Sequence, residues 1–337
     1  MSDIKLFRLQ AGQATELQGE ASDLQRPLQT LIENNLRPLL RIRFLATEYV
    51  TGRAHAGRID TLGLDENHCP VILEYKRSLG ENVINQGLFY LDWLMDHKAE
   101  FERLVMKKLG SAAADQIDWT APRVVCIAAD FTKYDSHAVQ QINRNIELIR
   151  YRRFGEELLL LEQANAPGTA APIKKPAKVS SKTAPDKDAA VPPAKVTTGT
   201  DKSYAEWLTT LSAPLLELLT SLEGYVLSLG DDVQRKELKL YVAYKRLKNF
   251  ATVVPQKSRL LLYLHMSPDQ LDPLPLNARD VSQQGHWGTG DLELSLVTMA
   301  DLDAVKGLIR LAYEGRAEAS LNVGACLICV NQCLRDV

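Results

Sequence analysis

The sequence predicts an α/β core, a mixed sheet flanked by helices, followed by a smaller α+β C-terminal domain. Strand-like and helix-like segments are interleaved up to residue 163, which is typical of a sheet covered by helices. The composition then shifts to Ala, Pro, Lys, Thr and Ser, and folded patterns return from residue 203. We therefore expect domains at residues 1–163 and 203–315, a flexible linker at 164–202 and a tail at 316–337.

Length and composition restrict the class of protein. The chain has 337 residues, 45% hydrophobic and 24% charged, enough for two soluble domains. The net charge of −2 means that any affinity for nucleic acid must come from local basic patches. The N-terminal segment lacks the apolar run of a signal peptide, and no stretch of about 18 apolar residues suggests a membrane helix. With five cysteines, an odd number, these features predict a cytoplasmic protein.

The first 163 residues contain the interleaved elements. The patterns predict strands at residues 4–9, 41–47, 58–64, 71–77, 123–128 and 157–161, and helices at 24–36, 81–108 and 137–150. The helical pattern in 81–108 comes from recurring apolar residues, whereas 123–128 is an unbroken apolar run typical of a buried strand. Alternation of strands and helices over this length predicts the α/β core.

Two of these strands place three charged residues together. The polar segment Asp65–Cys69 predicts a turn that joins residues 58–64 and 71–77 in an antiparallel hairpin. Centred on Asn67, the hairpin sets Asp60 opposite Glu74. Because side chains alternate along a strand, Asp60, Glu74 and Lys76 then project from one face.

Opposed carboxylates repel each other, which destabilises an ordinary hairpin. A hard divalent cation between them would turn that cost into a binding site, since Mg²⁺ prefers oxygen ligands. The adjacent lysine would add a positive charge suited to phosphodiester chemistry. The alternative interpretation is an exposed ion pair between Glu74 and Lys76 on a solvated strand face, worth about 0–1 kcal/mol.

The same residues carry a family resemblance. Gly57-Arg58-Ile59-Asp60, followed by Glu74-Tyr75-Lys76, resembles the core motif of the PD-(D/E)XK nuclease superfamily, with Ile59 in place of the proline that gives the superfamily its name. Residues 25–160 are similar, more narrowly, to the nuclease domain of NucS-type endonucleases. That family has an upstream helix glutamate, matched by Glu33, and a glutamine in the following helix, matched by Gln86.

The resemblance implies a restriction-endonuclease-like fold and a metal-dependent DNA endonuclease. Asp60, Glu74 and the backbone carbonyl of Tyr75 would hold Mg²⁺ or Mn²⁺, and Glu33 would reach the metal through water or complete a second site. Lys76 would orient or help deprotonate the attacking water, and Gln86 would position the water or a phosphate. Nucleases of this fold that cut both DNA strands often act as dimers, so a homodimer is one possible assembly of this chain.

Arginines supply candidate DNA contacts. Residues 143–153 are interpreted as a helix end that presents Arg144, Arg150, Arg152 and Arg153 to phosphates, with Tyr151 available to stack on a base. Arg58, beside the metal strand, is a further candidate. The alternative is that the arginines complement the helix macrodipole at its C-terminus.

The C-terminal part reads as a small α+β domain. A capping box at Ser203–Glu206 predicts a helix through about Leu222, and Thr298–Asp301 predicts the cap of a final helix. Strands are expected at 238–244, 259–264 and 292–297. Residues 203–315 resemble a domain family of uncharacterised function that is sometimes labelled a predicted transport protein.

Basic and aromatic residues between Tyr241 and Arg259 fit either a docking surface for nucleic acid or protein, or ordinary cross-strand packing. The linker carries seven lysines against three aspartates, which would add nonspecific attraction to phosphates. The tail residues Cys326, Cys329 and Cys333 lack a fourth zinc ligand nearby. Besides a nuclease, the sequence leaves open an inactive nucleic-acid-binding module of nuclease fold and a regulatory or scaffold protein.

Overall fold

The computed structural model describes residues 4–20, 25–52, 57–76, 83–164, 202–271, 273–284, 286 and 288–315. These residues form two lobes, each built around its own sheet: an N-terminal lobe (residues 4–164) and a C-terminal lobe (residues 202–315). The predicted linker, apart from its end residues 164 and 202, and the tail with its three cysteines lie outside the described residues.

The N-terminal lobe alternates strands and helices, as its sequence pattern predicts. Its elements are β1 (Leu6–Gln10), β2 (Gln13–Leu17), α1 (Gln25–Asn34), α2 (Leu36–Leu40), β3 (Arg43–Val50), β4 (Arg58–Leu64), β5 (Pro70–Lys76), α3 (Val83–Asp96), α4 (Lys98–Leu109), α5 (Ser111–Asp115), β6 (Arg123–Ala128), α6 (Lys133–Gln141), β7 (Asn145–Phe154) and β8 (Leu158–Gln163). Strands β1 and β2 form a separate antiparallel hairpin.

The main sheet of this lobe is mixed and runs in the order β3-β4-β5-β6-β7-β8. Strands β5, β6 and β7 are parallel to one another, while β3–β4, β4–β5 and β7–β8 pair antiparallel. The parallel step from β5 to β6 is connected through α3, α4 and α5, and the step from β6 to β7 through α6. The predicted mixed sheet flanked by helices is confirmed.

Helices bury both faces of this sheet. On one face, Ile32 and Leu36 of the first two helices pack against Leu73 and Tyr75 of β5. On the other, α3 packs on Ile72 and on residues of β6. Gly87 allows the close approach of α3, because a Cβ at this position would collide with the Val124 side chain. A strand covered on both faces reads as a continuous apolar run, which is the pattern of β6.

One predicted helix is wrong. The segment 137–150 was expected to be helical, but α6 begins at Lys133 and ends at Gln141, and residues from Asn145 onward form β7. The helix starts earlier because Thr132 and Asp135 form a capping box. The apolar residues at 146, 148 and 149 belong to a strand buried between β6 and β8, where sheet pairing decides the conformation.

Smaller differences concern element ends. The helical segment 81–108 is divided between α3 and α4 at His97, and the one at 24–36 continues after a break at Asn35 into α2. The strand expected at 41–47 begins and ends slightly later, and β2 was not predicted.

The C-terminal lobe packs helices on one face of an antiparallel sheet. Its elements are α7 (Tyr204–Thr210), α8 (Ala213–Ser228), β9 (Gln234–Glu237), β10 (Val242–Lys245), β11 (Asn249–Pro255), β12 (Leu260–Leu264), a 3₁₀ turn (Pro268–Gln270), β13 (Ala278–Asp280), β14 (Leu292–Leu296) and α9 (Met299–Tyr313). The strand order is β13-β14-β12-β11-β10-β9. The capping boxes at Ser203 and Thr298 are both present.

Three expectations for this lobe are corrected. The strand expected at 238–244 begins only at Val242, because residues 238–241 form a turn closed by the Leu238 N–H on the Tyr241 oxygen and follow β9, which was not predicted. The first helix is not continuous to Leu222, because it ends at Thr210 and α8 starts beside Pro214, a residue suited to the first turn of a helix. The segment between Tyr244 and Arg259, expected to be a connection with a turn at Pro255, contains β11, which ends at that proline. Tyr241 and Tyr244 are buried, so these two tyrosines belong to packing and not to a docking surface.

The lobes meet at the turn that joins β4 to β5. Asp65 accepts hydrogen bonds from the backbone N–H groups of Asn67 (2.9 Å) and Cys69 (2.8 Å), which fixes the turn. The Asn67 side chain then accepts from Tyr241 (3.1 Å) and Asn249 (2.7 Å) of the C-terminal lobe. The predicted polar turn is therefore a buried lobe contact.

Charged groups reinforce this junction. Glu147 of β7 accepts from Arg123 through both oxygens at 2.8 Å and from Lys245 of the C-terminal lobe at 2.8 and 3.0 Å. Arg123 also donates to Asp65 at 3.0 Å. Lys236 lies 3.7 Å from Asp65. We call Asp65, Arg123, Glu147, Lys236 and Lys245 the junction network.

Candidate active site

The hairpin of β4 and β5 has the predicted register. Leu62 lies opposite Ile72 and Leu64 opposite Pro70. Regular pairing extends only as far as Thr61 and Leu73, one step short of Asp60 and Glu74. At that step side chains replace the backbone ladder: the Asp60 N–H donates to Glu74 Oε1 at 3.2 Å, and the Tyr75 N–H donates to Asp60 Oδ2 at 3.0 Å. The two carboxyl groups are thus held at neighbouring positions by each other's strand.

Glu74 is fully buried. Its Oε1 has the Asp60 N–H as a donor, but its Oε2 has no hydrogen-bond partner among the described residues. Burial, and then the negative charge of Asp60, raise the pKa of Glu74 to about 9. A carboxyl group in this state is neutral at pH 7 unless a cation joins it.

Asp60 is nearly buried, with 8% of its surface exposed. Burial raises the pKa of Asp60, the hydrogen bond from Tyr75 opposes the shift, and the charge of Glu48 adds to it. Glu48 on β3 was not predicted as a site residue. It lies in the left-handed region (φ 50°), between residues that pair with Thr61 and Ile59, so it is level with Asp60. Glu48 could have been found only from the antiparallel pairing of β3 with β4, which the sequence alone did not predict.

Lys76 is the last residue of β5 and is half-buried. Its positive charge lowers the pKa values of both Asp60 and Glu74, although burial outweighs this effect at each carboxyl. The three residues predicted to share one face therefore do act on one another electrostatically. Glu74 is two residues before the end of β5 and Lys76 is at its end, so both lie where β5 leaves the sheet.

Glu33 lies on the other side of β4. Its Oε1 accepts hydrogen bonds from Thr61 (2.5 Å) and from Gln29 (3.1 Å). Gln29 also donates to the backbone oxygen of Asp60 at 2.9 Å. Since Thr61 and Asp60 point to opposite faces of the strand, the structure brings Glu33 to the hairpin but not into hydrogen bonding with the Asp60–Glu74 pair.

Gln86 is half-buried on α3, and its Nε2 lies 3.4 Å from the hydroxyl of Tyr90. The Tyr90 hydroxyl also accepts from the Arg58 N–H at 3.1 Å. Tyr90 was not predicted to be a site residue. Its position four residues after Gln86 on a helix could have indicated it, because residues at this spacing are neighbours on the helix surface. A Cβ at Gly57 would lie 2.5 Å from the Tyr90 ring, which explains a glycine at the start of the motif.

The predicted arginine cluster is not assembled as expected, because its residues lie in β7 or before it and not at a helix end. Arg150 is buried and pairs with Asp130 (2.7 Å) and Glu162 (2.9 Å), so it stabilises the sheet. Arg152 and Arg153 are half-buried on the same strand, and Arg144 is exposed just before it. Arg58 is 64% exposed and pairs with Glu48 at 2.5 Å.

The carboxylate side chains at this site are of the type that binds a hard divalent cation. Asp60 and Glu74 offer carboxylate oxygens, and the unpartnered Glu74 Oε2 is the atom that a cation would satisfy. The described residues contain no group of three or more Asp, Glu, His or Cys side chains arranged to hold a metal. Mg²⁺ is suited to such a limited set because it keeps several water ligands. Residues 53–56, which precede β4 in the sequence, and residues 77–82, which follow β5, are outside the described part of the chain.

Comparisons with known proteins add the following. Residues 205–315 match the model of a family described as a domain of unknown function, DUF5655. This agrees with the uncharacterised domain expected at residues 203–315 and gives no support to the transport label. An uncharacterised protein of Haemophilus influenzae (strain ATCC 51907 / DSM 11121 / KW20 / Rd) is 27% identical over 319 residues, which cover 92% of this chain and all of that protein.

Two solved structures have similarity to part of the chain. One is a repair endonuclease from Pyrococcus abyssi, with 16% identity and a TM-score of 0.25, covering 39% of this chain and 49% of that one. The other is a complex of EndoMS with double-stranded DNA, with 17% identity and a TM-score of 0.21, covering 39% and 47%. The chain thus spans about half of each structure, and at these scores the similarity carries no inference about activity.

Among the described helices, none combines the length and the apolar character needed to span a lipid bilayer.

Proposed function

We propose that this chain is a metal-dependent DNA endonuclease whose active site is formed by Asp60, Glu74 and Lys76. The observation that carries the proposal is the buried Asp60–Glu74 pair, in which Glu74 Oε2 has no partner while a lysine charge acts on both carboxyls. The motif's resemblance to PD-(D/E)XK nucleases supports the same reaction class. Mg²⁺ or Mn²⁺ is the expected cofactor.

Each residue then has a distinct task. Asp60 and Glu74 would hold the cation, and Glu74 would release its proton to solvent on binding it. A divalent cation bound there lowers the pKa of a bound water and offsets charge on the phosphate. Lys76 stabilises that developing charge and orients the attacking water. The backbone carbonyl of Tyr75 stays a proposed ligand.

Two further residues support the site from outside the pair. Gln86, steadied by Tyr90, positions the water or a phosphate oxygen. Glu33 acts indirectly, by holding Thr61 and Gln29 against the strand that carries Asp60. Arg58, Arg144, Arg152 and Arg153 remain proposed phosphate contacts, whereas Arg150 is withdrawn from that role because its guanidinium is already paired inside the sheet.

Cleavage of labelled single-stranded, duplex, flapped and mismatched DNA with Mg²⁺ or Mn²⁺ tests the proposal. Asp60→Asn and Lys76→Gln should each lower the cleavage rate by about 100-fold or more, because each removes an electrostatic group from the transition state. Lys107→Gln, on the exposed surface of α4, is the matched charge control and should cut normally.

EDTA should abolish cutting by the wild type. Cleavage that persists in EDTA or in Asp60→Asn would contradict the assignment. Binding of DNA without any cleavage would favour the inactive nucleic-acid-binding module instead. The C-terminal lobe is proposed to recognise nucleic acid or a partner protein, and cytoplasmic location and a homodimer are parts of the same proposal.

A further inference from the structure

A basic pocket of about 700 Å³ lies where the lobes meet, on the outer side of the β4–β5 turn. Four cationic side chains line it: Arg37, Arg41, Arg43 and Lys248. The first three belong to the N-terminal lobe, and Lys248 comes from the connection between β10 and β11 of the C-terminal lobe. The pocket is therefore complete only when the lobes are together.

The backbone presents these cations at closely spaced positions. Arg37 is on the exposed surface of α2, Arg41 directly follows that helix, and Arg43 opens β3. Arg41 adopts a left-handed conformation (φ 52°), which a residue with a side chain adopts at some energetic cost. From there Arg41 contacts the ring of His265 and lies 3.6 Å from Glu66 Oε2, which ties it to the junction.

Positive charge in the pocket exceeds negative charge. Glu66 is the acidic residue in the lining, and it faces four cations. The side chains of Arg37 and Arg43 form no hydrogen bond or ion pair with another residue in the described part of the chain. Burial and the charge of Arg41 lower the pKa of Lys248, and burial lowers the pKa of Arg43, an effect that Asp65 opposes and Arg37 reinforces. The charge of Arg41 thus acts against ionisation of Lys248, and the charge of Arg37 against ionisation of Arg43, so an anion in the pocket would relieve this repulsion.

We propose that this pocket is a phosphate-binding site shared by the two lobes. Arginine guanidinium groups bind phosphate oxygens through paired, charge-assisted hydrogen bonds, and Lys248 adds a point charge from the opposite lobe. The cavity has room for two adjacent phosphates, which match a surplus of about three positive charges. These phosphates come either from a free polyphosphate anion or from the backbone of a nucleic-acid strand.

The site is separate from the Asp60–Glu74 pair. Four residues of β4 separate Asp60 from Leu64, about 13 Å along an extended strand, and Glu66 lies beyond that end in the turn. Binding at the pocket can therefore be measured without catalysis. Titration calorimetry in EDTA with pyrophosphate, and separately with a single-stranded oligonucleotide of ten thymidylates, distinguishes the two sources of phosphate.

Arg37→Gln and Lys248→Gln should each weaken binding of the relevant ligand by about 10-fold, the effect of losing one charge-assisted contact. For the oligonucleotide, each variant should also reduce the slope of log K against log salt by about 0.7, which a purely structural change would not do. Arg26→Gln and Lys107→Gln, both exposed and remote from the pocket, are the matched controls.

Thermal melting checks that the variants fold, and removing one of several repelling cations should leave the melting temperature unchanged or higher. Weakening with pyrophosphate alone identifies a free anion, and weakening with the oligonucleotide alone identifies a nucleic-acid backbone. The proposal is overturned if neither ligand binds, or if both bind equally to the wild type, the two pocket variants and the controls. Because the calorimetry is done in EDTA, it needs no metal. A negative cleavage assay, which would refute the nuclease proposal, would therefore leave the measured phosphate binding unaffected.

Discussion

Two glutamates in the same sheet are equally buried but have opposite surroundings. Glu74 on β5 is 0% exposed and Glu147 on β7 is 2% exposed, with β6 between their strands. Both oxygens of Glu147 are bonded to Arg123 and Lys245, whereas Glu74 Oε2 has no hydrogen-bond partner in the described part of the chain. Burial alone therefore does not determine the protonation state of a carboxyl group. The cationic side chains that are hydrogen-bonded to it determine that state.

The pKa values express the same contrast. Burial opposes ionisation of Glu147, but Arg123 and Lys245 together hold its pKa well below the ordinary value. At Glu74, burial and the charge of Asp60 act in the same direction and raise the pKa to about 9. Glu147 is a component of the lobe junction, whereas Glu74 keeps one buried oxygen that no group in the described part of the chain hydrogen-bonds.

The largest effect is expected from removing Glu147. Glu147→Ala would leave Arg123 and Lys245 buried without their shared counter-ion, and breaking a buried ion pair in this way costs about 3–5 kcal/mol. Urea unfolding measures this loss of free energy. Glu156→Ala, at an exposed turn of the same lobe, is the control and should change stability by about 0.5 kcal/mol or less. Equal stability of the two variants would show that the ion pairs of Glu147 do not stabilise the fold.

Acid should weaken the junction by the same physical route. The pKa of Asp65, like that of Glu147, is lowered in the folded state, because Lys236 and Arg123 outweigh the effect of burial. A lowered carboxyl pKa contributes stability that is present above the unfolded value and is lost as the pH falls below it. The melting temperature should therefore decline below about pH 4.5. A melting temperature that stays constant from pH 6 to pH 3 would contradict this.

Glu74→Gln should stabilise the metal-free protein. The raised pKa of Glu74 means that the folded state keeps a proton which the unfolded chain releases above about pH 4.5, so wild-type stability falls as pH rises towards 9. Glutamine keeps the Oε1 acceptor for the Asp60 N–H and has no charge to bury. At pH 7 the gain should be roughly 2–3 kcal/mol.

Melting curves of wild type and Glu74→Gln in EDTA, from pH 4.5 to pH 9, test this prediction. The difference in melting temperature should widen with increasing pH. A constant difference, or a less stable variant, would show that Glu74 is ionised and already compensated in the folded protein.

The smallest effect concerns Tyr90. Tyr90→Phe removes the hydroxyl that accepts from the Arg58 N–H and contacts Gln86, at a cost of about 0.5–1.5 kcal/mol in unfolding free energy. Cleavage should fall only modestly, since the tyrosine positions neighbours. Unfolding and cleavage assays with Asp92→Asn, an exposed position on the same helix, as control would check it. A loss of activity as large as that of Asp60→Asn would place Tyr90 among the reacting groups.

The hairpin could be predicted from sequence because its turn and register are local. A short Asp- and Asn-rich turn fixes the pairing of Leu62 with Ile72, and the alternation of side chains then groups Asp60, Glu74 and Lys76. The mixed sheet was likewise visible in the order of elements. The end of regular pairing at Thr61 could not be predicted. It depends on the Asp60 and Glu74 side chains accepting hydrogen bonds in place of backbone carbonyls.

The junction network could not be predicted, since Glu147 and Lys245 are 98 residues apart and neither sits in a motif. The helix that starts at the Thr132 cap was placed too late in the sequence and extended into β7, and the predicted arginine cluster depended on that error. Glu48 and Tyr90 approach the site from other elements, so their proximity required the fold.

The most direct test of the central claim is binding of Mn²⁺ by titration calorimetry and thermal melting. Wild type should bind, release protons as Glu74 ionises, and gain about 2.7 kcal/mol of stability at a metal concentration of 100 times Kd. Glu74→Gln should lose this binding and its stabilisation, while Glu156→Ala should retain both. Absence of binding to the wild type, or undiminished binding to Glu74→Gln, would show that the buried Glu74 is not a metal ligand.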